Sequence, residues 1–197
     1  KKPLVFTNRV LRLYITMLVF SIIFILGAIL GAYPFWGMAT GISLTVMSAI
    51  SWLILIACNQ AMKPIENAIN QMYYNDAKRL LESMPDMKII GITGSYGKTS
   101  TKHYLHRILS EQFDVLMTPG SFNTPMGVIR TIREMMKPYN DVFIVEMGAK
   151  QLGDIKEICD IVHPEIGIVT AVGEQHLESF KSIENVQRTK FELVDAL

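Results

Sequence analysis

Lys88-Ile89-Ile90-Gly91-Ile92-Thr93-Gly94-Ser95-Tyr96-Gly97-Lys98-Thr99-Ser100 is the stretch on which the fold turns. The short apolar run 89–92 predicts a buried strand. Tyr104, Leu105, Ile108 and Leu109 then recur at helical spacing and predict a helix over 98–112. A glycine-rich turn that ends in lysine joins the two. In that order, loop N–H groups and the positive end of the helix dipole point at one place, where an anion is favoured. Glycine lets the backbone approach closely. The unit therefore predicts a phosphate cradle, with Lys98 reaching the terminal phosphates and the Thr99 hydroxyl ligating Mg²⁺. Its spacing is its own. Ile92 stands where the standard phosphate loop has its first glycine, which leaves Thr-Gly-x-x-Gly-Lys-Thr-Ser. The alternative is an ordinary strand-to-helix turn that holds a lysine; the flanking strand and helix favour the cradle.

Downstream, the alternation of strand and helix continues. Strands are predicted over 114–117, 141–147 and 166–170, and helices over 127–136, 152–162 and from 183 to the end. A loop, 118–125, follows the second strand. Strands alternating with helices indicate an α/β domain, its parallel sheet covered on both faces. Ligands of such sheets bind at the carboxyl ends of the strands. The phosphate loop, the 118–124 loop, Glu146 and His176 all fall at such ends, so four separate segments meet on one sheet edge.

Upstream, the composition changes. Residues 13–62 carry no charge, whereas Lys1, Lys2, Arg9 and Arg12 precede them. Spans 13–33 and 36–58 each reach the length of about 20 residues that a membrane helix needs. Tyr33-Pro34-Phe35-Trp36-Gly37 divides them with a helix breaker and interfacial aromatics. Basic residues before the first span and Lys63 after the second place both ends on the cytoplasmic side. The expectation is a two-helix transmembrane hairpin in a bacterial cytoplasmic membrane, with the α/β domain in the cytoplasm. A cleaved signal peptide is shorter and has no second span directly after it.

Residues 63–86 then read as an amphipathic linker helix opened by Pro64. Ile65, Ala68, Ile69, Met72, Tyr73, Leu80, Leu81 and Met84 share one face, set to pack on the domain or to lie along a membrane. The predicted division is 1–62, 63–86 and 87–197. From Lys63 on, the chain holds 15 basic and 18 acidic side chains, so nothing suggests a nucleic-acid surface and no nucleic-acid partner is expected. Cys58 and Cys159 are too few and too far apart for a disulfide framework or a cysteine zinc site.

Five ordered motifs carry a resemblance. They are Thr93-Gly94-Ser95-Tyr96-Gly97-Lys98-Thr99-Ser100, Ser121-Phe122-Asn123-Thr124-Pro125-Met126-Gly127-Val128, Val145-Glu146-Met147-Gly148-Ala149, Gly173-Glu174-Gln175-His176-Leu177-Glu178 and Thr189-Lys190-Phe191-Glu192. Over residues 87–197 the chain resembles the Mur ligase family, ATP-dependent enzymes that join a carboxylate to an amine in building peptidoglycan. The Glu-Met-Gly-Ala and Gly-x-x-His-Leu-Glu segments are most like the branch that adds D-alanyl-D-alanine to a muramoyl peptide. Ala171 stands where the family often has Asn, and Lys150-Gln151 replaces a frequent Asn-His. The membrane hairpin stands in place of the family's UDP-sugar domain. The resemblance further implies a piece of a longer protein, one that without an amine-receiving domain does not ligate by itself.

The resemblance also implies roles. ATP phosphorylates the carboxylate and the amine attacks the acyl phosphate, so the protein mainly positions groups and stabilises charge. Thr93, Gly94, Ser95, Gly97, Lys98, Thr99 and Ser100 bind the nucleotide, with Lys98 on the β/γ-phosphates. Thr99 and Glu146 hold one Mg²⁺ and His176 a second. Asn123 and Thr124 support phosphate or substrate. Lys190 is carbamylated by CO₂ and becomes an anion, the alternative being a solvated lysine paired with Glu192. His103 and His106 read as surface or packing residues, His163 as structural, and Asp154 and Glu157 as a solvated helix face. Three other functions stay open on the residues alone: a membrane-anchored phosphate-loop ATPase, a related ligase or amidating enzyme, and a scaffold with a degenerate nucleotide domain.

Overall fold

The computed structural model describes residues 8–31, 36–120, 122–174 and 177–197. In chain order the elements are α1 (Asn8–Gly31), α2 (Trp36–Glu82), β1 (Lys88–Thr93), α3 (Lys98–Leu109), β2 (Val115–Met117), α4 (Pro125–Met135), β3 (Val142–Glu146), α5 (Asp154–Val162), β4 (Ile166–Val169), α6 (Leu177–Phe180) and α7 (Ile183–Asp195). They fall into two compact units, Lys1–Ile69 and Asn70–Leu197.

In the first unit, Val10–Gly27 is the one stretch among the described residues long and apolar enough to cross a membrane, and none of it is buried. Ile15, Ile23 and Leu26 are about half exposed. The Thr16 hydroxyl lies 3.4 Å from Met62 Sδ, so α1 and α2 touch there. The predicted second span, 36–58, is helical, but most of its side chains and the turn 32–35 lie outside the described residues. Pro64 does not open a helix, as its sequence context suggested; it sits inside α2. Its fixed φ suits either position. Apolar residues before it and amphipathic residues after it both favour helix, so the chain runs through at the cost of one backbone hydrogen bond.

The second unit is built on a four-stranded sheet of order β2-β3-β1-β4. All three pairings are parallel, with Ile90 opposite both Ile144 and Ile166. Side chains alternate between the two faces of a strand. On one face Ile89, Phe143, Val145 and Met147 meet Val128, Ile129 and Ile132 of α4, Ile155 and Ile158 of α5, and Val186 and Leu193 of α7. On the other, Ile90, Ile92, Val142 and Ile144 meet Leu105 and Leu109 of α3. Fully burying a side chain such as Phe143 contributes about 1.5–3 kcal/mol. Helices on both faces confirm the α/β reading.

Two predicted faces need correction. Tyr104 and Ile108 are 72% and 68% exposed, so only half of the apolar spacing read in α3 reaches the sheet. At the end of α2 the residues that meet the core are Tyr73, Tyr74, Ala77, Leu81 and Met84, whereas Met72 and Leu80 are exposed. The guanidinium of Arg133 stacks 3.9 Å from the Tyr73 ring centroid and pairs with Asp76 at 3.3 Å, which fixes that face to α4. Element ends shift for local reasons. Thr124 caps α4 by accepting the Gly127 N–H, so Pro125 is its first residue. Gly153, at φ 94°, starts α5 two residues later than predicted. The short α6 was not anticipated.

Candidate nucleotide and metal site

The turn between β1 and α3 is shaped by its neighbours. Gly94 has φ 145° and Gly97 φ 83°, regions that disfavour a side chain. A Cβ at Gly94 would collide with the Thr170 hydroxyl and lie 3.0 Å from the Ala171 backbone. The segment after β4 braces the loop. Ser95 N–H donates to Ala171 O at 2.6 Å, and the Ser95 hydroxyl donates to Gly173 O at 2.9 Å and accepts from Gly173 N–H at 3.1 Å. The Tyr96 hydroxyl donates to Glu174 O and the Thr170 hydroxyl to Tyr96 O, each at 2.6 Å. The buried Thr93 hydroxyl donates to Met147 O at 3.1 Å. Thr93 and Ser95, predicted nucleotide contacts, thus have their side chains committed to the scaffold.

What faces outward is the start of α3. Gly97 caps that helix with no side-chain hydrogen bond, so its first N–H groups are left for an anion. Thr99 and Ser100 are exposed beside them. Lys98 Nζ folds back to donate to Gly94 O at 2.6 Å, with Ser95 O at 3.4 Å. Burial lowers its pKa and the charge of Glu146 opposes that.

Glu146 ends β3 as predicted, but it is 2% exposed and not a solvated strand end. Its N–H donates to the Thr118 hydroxyl at 3.1 Å. The Thr99 hydroxyl lies 3.2 Å from Oε1 and 3.1 Å from Oε2, and Asn123 Nδ2 donates to Oε1 at 3.3 Å. Lys102 Nζ, 0% exposed, lies 2.8 Å from Oε2 and donates to Gly120 O at 2.7 Å. Lys102 was missed in the sequence. It lies three and seven residues before Leu105 and Leu109, a lysine on the inner stripe of α3, which is the signal that could have found it.

The Thr99 hydroxyl and the Glu146 carboxylate are the oxygen donors that Mg²⁺ prefers, and Mg²⁺ takes few protein ligands because phosphates and water supply the others. The chemistry of the pair therefore fits the ion. Among the described residues no group of three His, Cys, Asp or Glu could hold a metal. His176, the predicted second ligand, lies outside the described residues, as does Ser121.

Next to the loop is a cavity of about 370 Å³ lined by Lys98, Asn123, Thr124, Gly148, Asp154 and Lys190, among others. Thr124 spends its hydroxyl on the α4 cap. Asn123 packs against Gly148, whose N–H donates to Asn123 O at 2.8 Å. Lys190 is 1% exposed. Burial lowers its pKa to about 8, with help from the charge of Lys98 and against the charges of Glu192 and Asp154. The solvated alternative for Lys190 is overturned. Glu192 does not pair with it at hydrogen-bond distance but caps α5, accepting Gly153 N–H at 2.7 Å and Lys156 N–H at 2.9 Å. Asp154, read as a solvated residue, accepts the N–H groups of Lys150 and Gln151 at 2.8 and 3.1 Å. His163 caps the end of α5 with φ 48°, in keeping with a structural role.

The chain is similar to known proteins. The UDP-N-acetylmuramoyl-tripeptide–D-alanyl-D-alanine ligase of Bacillus subtilis is 34% identical over 122 residues, 61% of this chain and 26% of that enzyme. The Mycobacterium tuberculosis ligase of the same description is 42% identical over 115 residues, 56% of this chain and 22% of that enzyme. The chain thus spans about a quarter of the length of the curated relatives it matches. The crystal structure of MurF ligase from Thermotoga maritima in complex with ADP superposes with a TM-score of 0.61 at 32% identity, over 64% of this chain and 29% of that one. MurF from Acinetobacter baumannii gives the same TM-score at 30% identity, over 64% and 27%. The family model described as the Mur ligase middle domain matches residues 92–197, from the last two residues of β1 through α7. That is more than half of the chain, which belongs to the Mur ligase family.

Proposed function

We propose that the chain is the nucleotide-binding part of a membrane-anchored, ATP-dependent ligase of peptidoglycan precursor synthesis, one that adds D-alanyl-D-alanine to the carboxylate of a muramoyl peptide. The observation that carries this reading is the meeting, on one sheet edge, of the open start of α3, the Thr99–Glu146 pair and the cavity that Lys98 and Lys190 share. The similarity to UDP-N-acetylmuramoyl-tripeptide–D-alanyl-D-alanine ligases supports this choice of reaction. Bound ATP supplies the phosphoryl group that makes a carboxylate oxygen a leaving group for the amine to displace.

The residues have separable tasks. Lys98 leaves the Gly94 and Ser95 carbonyls for phosphate oxygens, and Gly97 to Ser100 present N–H groups. Thr99 and Glu146 hold Mg²⁺. Asn123, which lines the cavity beside the loop, would support phosphate or substrate. At Lys190, the neutral amine attacks CO₂ and loses a proton, forming an N–C bond and a carbamate anion. An anion there offsets the positive charge of Lys98. The exposed apolar surface of Val10–Gly27, the uncharged 13–62 stretch and the flanking basic residues support a hairpin anchor with the domain in the cytoplasm.

The test uses the full-length protein. Lys98→Ala lowers D-alanyl-D-alanine ligation by at least about 100-fold, because a preorganised charge partner is lost where water replaces it poorly. Glu146→Ala raises the Mg²⁺ concentration needed for half-maximal rate. Ligation at ordinary Mg²⁺ in both variants places the reaction elsewhere.

A further inference from the structure

The two oxygens of Glu146 are not equivalent. The Thr99 hydroxyl is shared between them, 3.2 Å from Oε1 and 3.1 Å from Oε2, but Oε2 also takes a charge-assisted bond of 2.8 Å from Lys102, whereas the other partner of Oε1 is the neutral Asn123 at 3.3 Å. The Lys102 ammonium is itself anchored on Gly120 O at 2.7 Å and fully buried. Withdrawing it from Oε2 would leave a buried cation short of its counter-charge, which is strongly unfavourable. Oε1 can exchange its weak partners for a metal; Oε2 cannot. Carboxylate ligation distinguishes the two common hard cations. Ca²⁺ takes about 6–8 oxygens and readily accepts both oxygens of one carboxylate, whereas Mg²⁺ needs a compact octahedron to which a carboxylate gives one.

We propose that Lys102 is a positioning residue that restricts Glu146 to one-oxygen ligation of the cation accompanying the nucleotide, and thereby makes the site prefer Mg²⁺ over Ca²⁺. The inference rests on the reading that Thr99 and Glu146 hold that cation. It assigns a task to a fully buried lysine that is not among the residues lining the cavity beside the loop, and it accounts for a buried charge pair at the end of a strand whose other members are apolar.

The experiment measures ADP binding by calorimetry to the full-length protein, with Mg²⁺ or with Ca²⁺, so no turnover is involved. Wild type binds ADP more tightly with Mg²⁺. Lys102→Met, which keeps the length and removes the charge, narrows the Mg²⁺/Ca²⁺ ratio of dissociation constants by at least about fivefold, chiefly by improving Ca²⁺. Lys102→Gln, which keeps a donor for Gly120 O, narrows it likewise. Thermal melts establish that each variant is folded. An unchanged ratio in a folded variant overturns the proposal, because a lysine that only supported the fold would change affinity with both cations alike. Equal support of ADP binding by Ca²⁺ and Mg²⁺ in wild type overturns it without any variant. Glu146→Gln separates the two readings. If it leaves the cation dependence untouched, the metal site itself is misplaced; if it abolishes the dependence while Lys102→Met does not move the ratio, only the role of Lys102 fails.

Discussion

The environment of Lys190 sets a quantitative expectation for its reactivity. Burial lowers its pKa from the ordinary 10.5 to about 8. At pH 7 the neutral amine is then roughly a tenth of the population, against roughly one part in 3,000 for an ordinary lysine. CO₂ reacts only with the neutral form, so Lys190 is roughly 300-fold better populated for carbamate formation. The assay is trace acetylation across pH 6–11 with peptide mass spectrometry, comparing Lys190 with the exposed Lys88 and Lys156. The expected midpoint for Lys190 is near 8.

Stability follows with a fixed sign. The depressed pKa means that the unfolded chain binds more protons between pH 8 and 10.5, so this group adds stability as pH rises through that window, in total about 3 kcal/mol. The difference between wild type and Lys190→Met in urea melts should show that slope. In the full-length protein Lys190→Ala should lose most ligation and regain part with short-chain carboxylic acids, which restore an anion to the gap. A labelling midpoint near 10.5 refutes the desolvation argument. Full activity in Lys190→Ala removes the residue from the mechanism, and an inactive variant that no acid rescues removes the carbamate.

Two more perturbations probe the loop and the proposed anchor. Gly94→Ala forces a side chain onto φ 145° and into Thr170 and Ala171, so it should cost about 2 kcal/mol in urea melts and weaken ADP binding; wild-type stability and affinity would show that the loop is not shaped as described. With the hairpin anchor, Pro34→Cys should be modified by an impermeant thiol reagent on intact cells and Lys2→Cys should not; the reverse pattern rejects that topology.

What was legible in the sequence was what periodicity and turn chemistry encode. The strands at 89–92 and 142–145, the Gly94–Gly97 turn and the convergence of the phosphate loop, the 118–124 loop and Glu146 on one edge were readable because local pattern and parallel topology dictate them, whereas Lys190 entered only through the family resemblance. Partner choice was not readable. Lys102 looks like any helix lysine until β3 and Gly120 are packed beside it. Ser95 belongs to the phosphate motif by position, yet its hydroxyl is taken by Gly173, 78 residues away. Glu192 stands two residues after Lys190, yet it caps a different helix. The exposed Tyr104 and Ile108 show the other limit. Helical spacing identifies a face, and only the sheet decides how wide a face is covered.

The braces on the phosphate loop also bear on how the domain is born. Ser95 and Tyr96 are held by Gly173 and Glu174, each 78 residues later, and β1 lies between β3 and β4, both made after it. Chains leave the ribosome at about 5–20 residues per second, so roughly 4–16 s separate synthesis of the loop from synthesis of its braces. Through that interval the Ile89-Ile90 and Ile92 side chains have no finished sheet to enter. The domain therefore folds late and non-locally, a route that exposes apolar strand to other nascent chains. Any ligand of the finished loop arrives too late in the order of events to guide the strands into place.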